Sequence, residues 1–157
     1  WRLVFCFGFS LRELRKQIGT DPKKQPCCFS NYWWLGNRED AWATSKPEPD
    51  YYLVDFNGRF ASTSWNRQEE EIRKFGHEFV RAPEAVIAEA ITTIFQVTGE
   101  RLLGDWYHWG SSLDSLSFRV FVGDFDRHGW GVRDCYPDCG DRDDLRVCLL
   151  RKFQSPA

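Results

Sequence analysis

Apolar positions along the chain fall into blocks of different period, and the period assigns the elements. Near the N-terminus, Leu11, Leu14 and Ile18 recur on one helical face. Ser10 stands where a cap is needed and Gly19 where the helix must stop. The run Trp1–Phe9 before it is apolar but short, lacks a basic start and gives way at once to Arg12, Glu13 and Arg15, which is not the layout of a signal peptide. Asp21–Pro26 reads as a polar loop and Tyr32–Leu35 as a short strand or an aromatic docking segment. Ser45–Asp50 reads as an extended connection, because Pro47 and Pro49 exclude regular structure there.

From Tyr51 the pattern sharpens. Tyr51–Phe56 has strand composition, and Asn57-Gly58 after it predicts a turn. Ser64 caps a helix to about Phe75, with Trp65, Ile72 and Phe75 on its inner side and Gly76 as its stop. Glu69, Glu70 and Glu71 lie in its early turns, where carboxylates suit the helix dipole and a solvated face. Glu78–Arg81 is a short extended piece. Pro83 then opens a second helix to about Thr98, in which Val86, Ile87, Ala90, Ile91, Ile94 and Phe95 repeat at helical spacing before Gly99. Asp105–Gly110 is dense in rings and is assigned to an aromatic loop. Phe118–Phe125 alternates as a strand, Asp126–Gly129 turns, and Trp130–Arg133 returns. Tyr136–Asp144 is a polar loop. Leu145–Phe153 closes the chain as a strand apolar on both sides, hence central. The order predicts an α+β domain: two helices packed on small antiparallel sheets with a long aromatic loop region, the first and last strands of the unit paired. Residues 51–157 form this domain, and residues 1–50 form an N-terminal extension of helix plus loops packed on it.

Composition narrows the function classes. A chain of 157 residues suits one domain with a real core. A net charge of −2 lacks the electrostatic footprint of a general nucleic-acid binder, and no apolar run is long enough to span a bilayer. Aromatics at 17%, with 8 Trp, exceed what a core of this size needs and point to a contact surface as well. The 6 cysteines are too sparse for a disulfide scaffold. Cys135 and Cys139, with His128 upstream, lack an evident fourth metal ligand, so no metal or cofactor is assigned. Cys148 lies in an apolar run and reads as a buried thiol. No P-loop, GxGxxG, HExxH or GxSxG string occurs, and His77, His108 and His128 are scattered. The chain opens at Trp1 and holds no Met, so a native start upstream is expected. Compartment and oligomeric state stay open.

Two strings carry a family resemblance. Glu78-Phe-Val-Arg-Ala-Pro-Glu-Ala-Val-Ile-Ala-Glu-Ala-Ile91 resembles the helix entry R-L-P-T-E-x-E-W-E of formylglycine-generating-enzyme-type and related C-type-lectin-like domains. Leu145-Arg-Val-Cys-Leu-Leu-Arg-Lys152 resembles their closing strand, where V-R-C-V-R is common. The element order agrees, and the likeness covers about Tyr51 to Phe153.

A third feature selects among members of that fold. From Ser111 through Val147 there is no Lys, Glu, Gln, Met or Asn. At background usage so long an absence is expected on the order of once in a thousand stretches. Apart from Trp130, the types present are those reached when the first two bases of an Asn-type codon ending in C are randomised. The stretch is similar to the variable proteins of diversity-generating retroelements, which place diversified residues near the C-terminus of a C-type-lectin-like fold. The stretch itself reads as a fixed, buried frame of Val120, Val122, Gly123, Phe125, Gly129, Trp130, Val132 and Leu145 with variable insertions, and the resemblance implies that the insertions form a ligand-binding face that differs between copies. The ligand-binding set is Ser115, Ser117, Phe118, Phe121, Asp124, Arg127, His128, Arg133, Asp134, Cys135, Tyr136, Asp138 and Cys139, with Trp130 also a candidate contact. Rings give contact area at low entropy cost, and Ser, Asp and Arg give adaptable polar contacts. The reading is a binding protein, not an enzyme, whose partner is a macromolecule (protein or cell-surface glycan), without nucleic-acid binding or membrane insertion. Two alternatives stand beside it. One is a non-diversified lectin-like module that binds carbohydrate or protein; its calcium-dependent form would use Asp124, Asp126, Asp138, Asp141, Asp143 and Asp144, but the Glu-Pro-Asn and Trp-Asn-Asp strings of that form are absent, and these acids read as solvated loop residues or partners for the interleaved Arg residues. A formylglycine-generating-enzyme-like cysteine oxidase would use Cys135 and Cys139, around which the sequence departs from that family's pattern.

Overall fold

The computed structural model describes residues 1–30, 40–136, 138–140 and 142–151. Among them the chain runs β1 (Arg2–Cys6), α1 (Leu11–Ile18), α2 (Ala41–Thr44), β2 (Asp50–Arg59), α3 (Trp65–Phe75), β3 (Phe79–Arg81), α4 (Glu84–Thr98), β4 (Tyr107–Leu113), β5 (Arg119–Asp126), β6 (Gly129–Cys135) and β7 (Leu145–Arg151). The aromatic segment Tyr32–Leu35 and the end of the last strand, Phe153, lie outside the described residues. Helices begin where caps stand. The Ser10 hydroxyl accepts from Glu13 N–H while the Glu13 carboxylate accepts from Ser10 N–H, a reciprocal cap that opens α1. Ser64 accepts from Arg67 N–H at the start of α3, and Gly99 ends α4 in the left-handed region.

The strands form one open sheet of seven in the order β1-β2-β7-β4-β5-β6, with β3 also on β7. The α+β class stands, and β2 does pair antiparallel with the central β7. Several local expectations are corrected. Trp1–Phe9 holds a strand, so residues 1–50 supply β1 to the sheet as well as helix and loops. The period was masked because both faces of β1 are apolar: Val4 and Cys6 are buried while Leu3 and Phe5 face the other way. Asn57-Gly58 does not reverse the chain. It lies in a bulge of β2, where the register jumps from Asp55 opposite Leu149 to Arg59 opposite Val147. The buried Asp55 carboxylate organises the bulge by accepting from Asn57 N–H and from the Arg59 guanidinium. The ring-dense segment from Tyr107 is strand β4, not loop. Its pairing with β7 is parallel, so the expected small antiparallel sheets merge into one mixed sheet.

The sheet buries apolar residues on both faces. On one, α4 and α1 cover Val4, Cys6, Val120, Val122, Phe125, Trp130, Val132, Cys148 and Leu150. On the other, α3 places Ile72 over Val147 and Leu149, and Tyr107, Trp109, Phe121 and Leu145 form a second patch. Within α3 the inner side carries Trp65, Gln68 and Ile72, while Phe75 is 40% exposed. Glu69 is not merely solvated: it pairs with the buried Arg81 at 2.7 Å. Arg81 also donates to the Gln68 side chain and the Trp109 carbonyl, so α3, β3 and β4 share one cation. Gln68 in turn donates to the Phe60 and Leu145 carbonyls. Two acids of α4 are buried as well. Glu89 accepts from Phe7 and Phe9 N–H, and Glu84 accepts from Ser112 N–H and hydroxyl. A Cβ on Gly110 would stand 1.8 Å from the Glu84 carboxylate, so glycine there is what admits the acid.

One edge of β7 changes partner part-way. Residues 145 and 146 pair with β4, and residues 149 to 151 pair with β3. At the fork, Cys148 N–H donates to His108 Nδ1 at 3.0 Å, His108 Nε2–H donates to Ala82 C=O at 2.7 Å, and Ala82 N–H donates to Cys148 C=O at 3.1 Å. These bonds fix one neutral tautomer. Burial depresses the His108 pKa to about 3, against an ordinary value of 6.5. The unfolded chain therefore binds the proton more readily. Stability from this group is full above pH about 6.5 and falls as pH drops toward about 3, by up to about 1.4 kcal/mol per pH unit. His108→Phe leaves Cys148 N–H and Ala82 C=O unpaired and is expected to cost roughly 2–5 kcal/mol at pH 7. Urea unfolding at pH 7 and pH 5 checks both points: the wild type loses stability between them, and the variant loses less.

Candidate functional site

The proposed contact residues are carried by the β5–β6 ribbon and the segments flanking it. The ribbon is rigid because its inward positions are filled. Val120, Val122, Gly123, Phe125, Gly129, Trp130, Val132 and Leu145 are all buried. Trp130 donates its indole N–H to Thr92 on α4 at 3.0 Å. Two candidate contacts are thereby corrected. Trp130 packs against α4, and Phe121 lies under the Tyr107 ring with 0% exposure, so neither reaches a ligand. The period of β5 explains Phe121: it points away from α4, but toward a second packed layer rather than solvent.

The remaining candidates lie at least partly on the surface, in two groups with Arg133 and Asp124 between them. At one end, Ser115, Ser117, Phe118, Asp134, Cys135, Tyr136, Asp138 and Cys139 gather around the β4–β5 connection. Asp114 Oδ1 shapes that turn by accepting from Leu116 N–H and Phe118 N–H at 2.8 and 2.9 Å. Phe118 meets Tyr136 with ring centroids 4.3 Å apart. Cys135 and Cys139 are joined in a disulfide that closes the loop after β6, with Cα atoms 6.5 Å apart. The Asp134 pKa is raised to about 6, first by burial and then by the hydrogen bond and charge of Asp114.

At the other end, about 20 Å along the ribbon at strand rise, Arg127 and His128 form the exposed β5–β6 turn. Residues 25–29 brace it: the Gln25 side chain donates to the Arg127 carbonyl, and Phe29 N–H donates to the Trp130 carbonyl. Gly129 has φ 104°, and a Cβ there would stand 2.4 Å from the Cys27 carbonyl oxygen, so the brace requires glycine.

Arg133 and Asp124 lie between the groups. They border a depression of about 50 Å³ whose other walls are Phe29, Tyr107 and Asp126, over Gly129 and Gly131. The Tyr107 hydroxyl donates to Asp124 at 3.1 Å. Burial, then the Asp124 charge, pushes the Tyr107 pKa up to about 12. Arg142 stacks 5.3 Å over Phe121 and forms a two-point pair with Asp144 at 2.8 and 2.7 Å, which holds that carboxyl below its ordinary pKa. Thus Asp144 partners an interleaved Arg and Asp143 is exposed, while Asp141 lies outside the described residues. Phe29, Tyr107, Asp114 and Arg142 are site-forming residues that the sequence did not mark. The role of Phe29 had no local signal, because it follows from a pairing about a hundred positions away.

Chemically the face offers aromatic area, guanidinium groups and carboxylates, a set suited to contact. The free thiols Cys6, Cys27, Cys28 and Cys148 are buried, and burial raises each pKa, to about 12 at Cys6 and Cys28. Among the described residues no cluster of three His, Cys, Asp or Glu could hold a metal ion, and no helix is long and apolar enough to cross a membrane. The chain matches no protein family, no curated protein and no solved structure.

The carboxyl pair has a pH consequence. A folded pKa above the unfolded value means that stability from Asp134 is full below pH about 4 and is lost as pH rises through about 6. Asp134→Asn is expected to raise the thermal midpoint at pH 7 and leave it unchanged at pH 4, measured by calorimetry at both values.

Proposed function

We propose that this chain is a C-type-lectin-like ligand-recognition domain whose face within Ser111–Val147 is diversified by a retroelement. The observation that carries the reading is a coincidence of two independent divisions. The stretch lacks Lys, Glu, Gln, Met and Asn, and within it each assigned frame position is buried while nearly all assigned variable positions reach the surface. Random replacement of outward residues on a filled ribbon changes the contact surface without changing the core. The fold assignment is supported by element order and by the pairing of the first and last strands of the Tyr51–Arg151 unit. The ligand in this reading is a macromolecule, protein or glycan, met by side chains rather than transformed by them.

Two experiments test it. The encoding DNA should have a nearby near-repeat that differs from it mainly at adenines, and its absence overturns the diversification. At the protein level, Arg127→Ser, His128→Ser and Arg133→Ser, at exposed positions, should each change unfolding free energy by no more than about 0.5 kcal/mol. Phe121→Ala and Trp130→Ala should cost roughly 3–5 kcal/mol. Equal losses in both sets, by denaturant titration, would remove the frame-and-variable division.

A plain lectin-like module is a second reading, favoured by the depression between Phe29, Tyr107, Asp124 and Arg133, which pairs rings with polar groups at the scale of one side chain or sugar substituent. Glycan-array binding that is lost in Arg133→Ser, at the wall of the depression, but survives unchanged in Tyr136→Ser, outside it, would favour that module over the diversified surface.

A further inference from the structure

The two edges of the sheet are treated differently. At the β6 edge, Trp130 is bracketed by backbone bonds: Phe29 N–H donates to its carbonyl at 2.7 Å, and its N–H donates to Cys27 at 3.1 Å. At the β1 edge, no strand among the described residues pairs with the outer side of Arg2–Cys6. Strand β1 also lacks the usual protections of an edge. It has no proline, its backbone pairs with β2 without a bulge, and its one charge, Arg2, is held by Glu100 at 3.0 Å.

The face beside that edge is apolar. Where α3 stops covering the sheet, Leu3 is 60% exposed, Phe7 62%, Tyr51 59% and Trp1 46%. Phe5 packs its ring 5.0 Å from both Phe7 and Tyr51. Trp1 extends the belt to Phe79, with centroids 5.5 Å apart. On typical side-chain areas the exposed part amounts to roughly 500 Å². That is at the upper end of what a monomer leaves open in one patch and more than half of the roughly 800 Å² each partner gives to a standard interface. The strand backbone supplies much of the rest.

We infer that the β1 edge and its outer face join a second copy of this chain, strand to strand and antiparallel about a two-fold axis at Val4. The sequence of β1 is self-complementary in that alignment. Leu3 falls opposite the second copy's Phe5 on the apolar face, Val4 meets Val4, and Arg2 falls opposite Cys6, so no like charges face each other. The contact makes one continuous sheet of both copies. Because β6 and its contact residues lie at the far edge, the dimer carries two outward-facing ligand surfaces and gains avidity on a repeated target.

Sedimentation velocity and light scattering on the 157-residue chain between ~1 and ~100 µM test this. The expected result is a concentration-dependent rise to twice the 18.5 kDa chain mass. Leu3→Lys and Phe7→Lys alter exposed side chains, so circular dichroism should be unchanged while the dimer weakens at least tenfold. Val97→Lys, on an exposed site of α4, should have no effect. Hydrogen exchange should slow at β1 amides as the dimer fills. A monomer at the highest concentration overturns the proposal, as does a dimer that resists both Lys variants in β1 and its extension.

Discussion

A strand with two different neighbours along one edge must satisfy its backbone where they meet, and the whole sheet depends on how that is done at Cys148. Strand β7 is central; β4 leaves its edge after residue 146 and β3 joins at residue 149. The imidazole of His108 fills the break as both acceptor and donor, closing a circuit with Ala82 and Cys148. A buried N–H or C=O left open at this point would cost about as much as a sizeable fraction of a domain's net stability. The ring therefore sets the parallel β4–β7 register, and that register carries β5 and β6 with it. On the opposite face Arg81 and Gln68 repeat the device, one side chain bonding across α3, β3 and β4 and the other reaching the Phe60 and Leu145 carbonyls. The fold is held at its seams by the hydrogen-bonded side chains of His108, Arg81 and Gln68, and its apolar layers fill the space between.

What was legible in the sequence follows the range of the interaction. The caps Ser10 and Ser64, the stops Gly19, Gly76 and Gly99, and the helix of Val86 to Ile94 depend on residues within a turn or two, and all are where the pattern put them. The frame of β5 and β6 was legible because alternation along a half-buried strand is local as well. Features decided by distant partners were not. The bulge at Asn57-Gly58 needs Leu149 and Val147 opposite it, and a turn signal alone cannot distinguish a bulge from a reversal. Strand β1 is apolar on both faces, so its period vanished into a uniform run. Phe121 was assigned outward because its strand period is two, but outward on this strand means a second packed layer beneath Tyr107 and Arg142. Glu84 and Glu89 sit in a helix whose apolar repeat gave no hint that the backbone of β4 and of the β1–α1 connection would come to meet them.

The candidate face gains its character from this division of labour. Its residues stand on strands and tight turns whose inward neighbours are buried, an arrangement in which ordering on binding would fall on side chains rather than on backbone. Phe118 and Tyr136 already meet edge to face, and Asp114 already holds the turn beneath them. The brace from residues 25–29 shows that the first part of the chain also shapes the face: it supplies Phe29 as a wall and pins the turn that presents Arg127 and His128.

The disulfide between Cys135 and Cys139 has a meaning beyond the loop it closes. Both positions belong to the set proposed to vary, and a bridge over so short a span removes on the order of 2 kcal/mol of conformational freedom from the open chain. A repertoire that draws both residues at random would sample more than shapes and charges. Copies with the pair would present a fixed loop, and copies without it would present the same length of chain free to adapt. Stiffness would then be inherited alongside chemistry, and selection by a target could act on either.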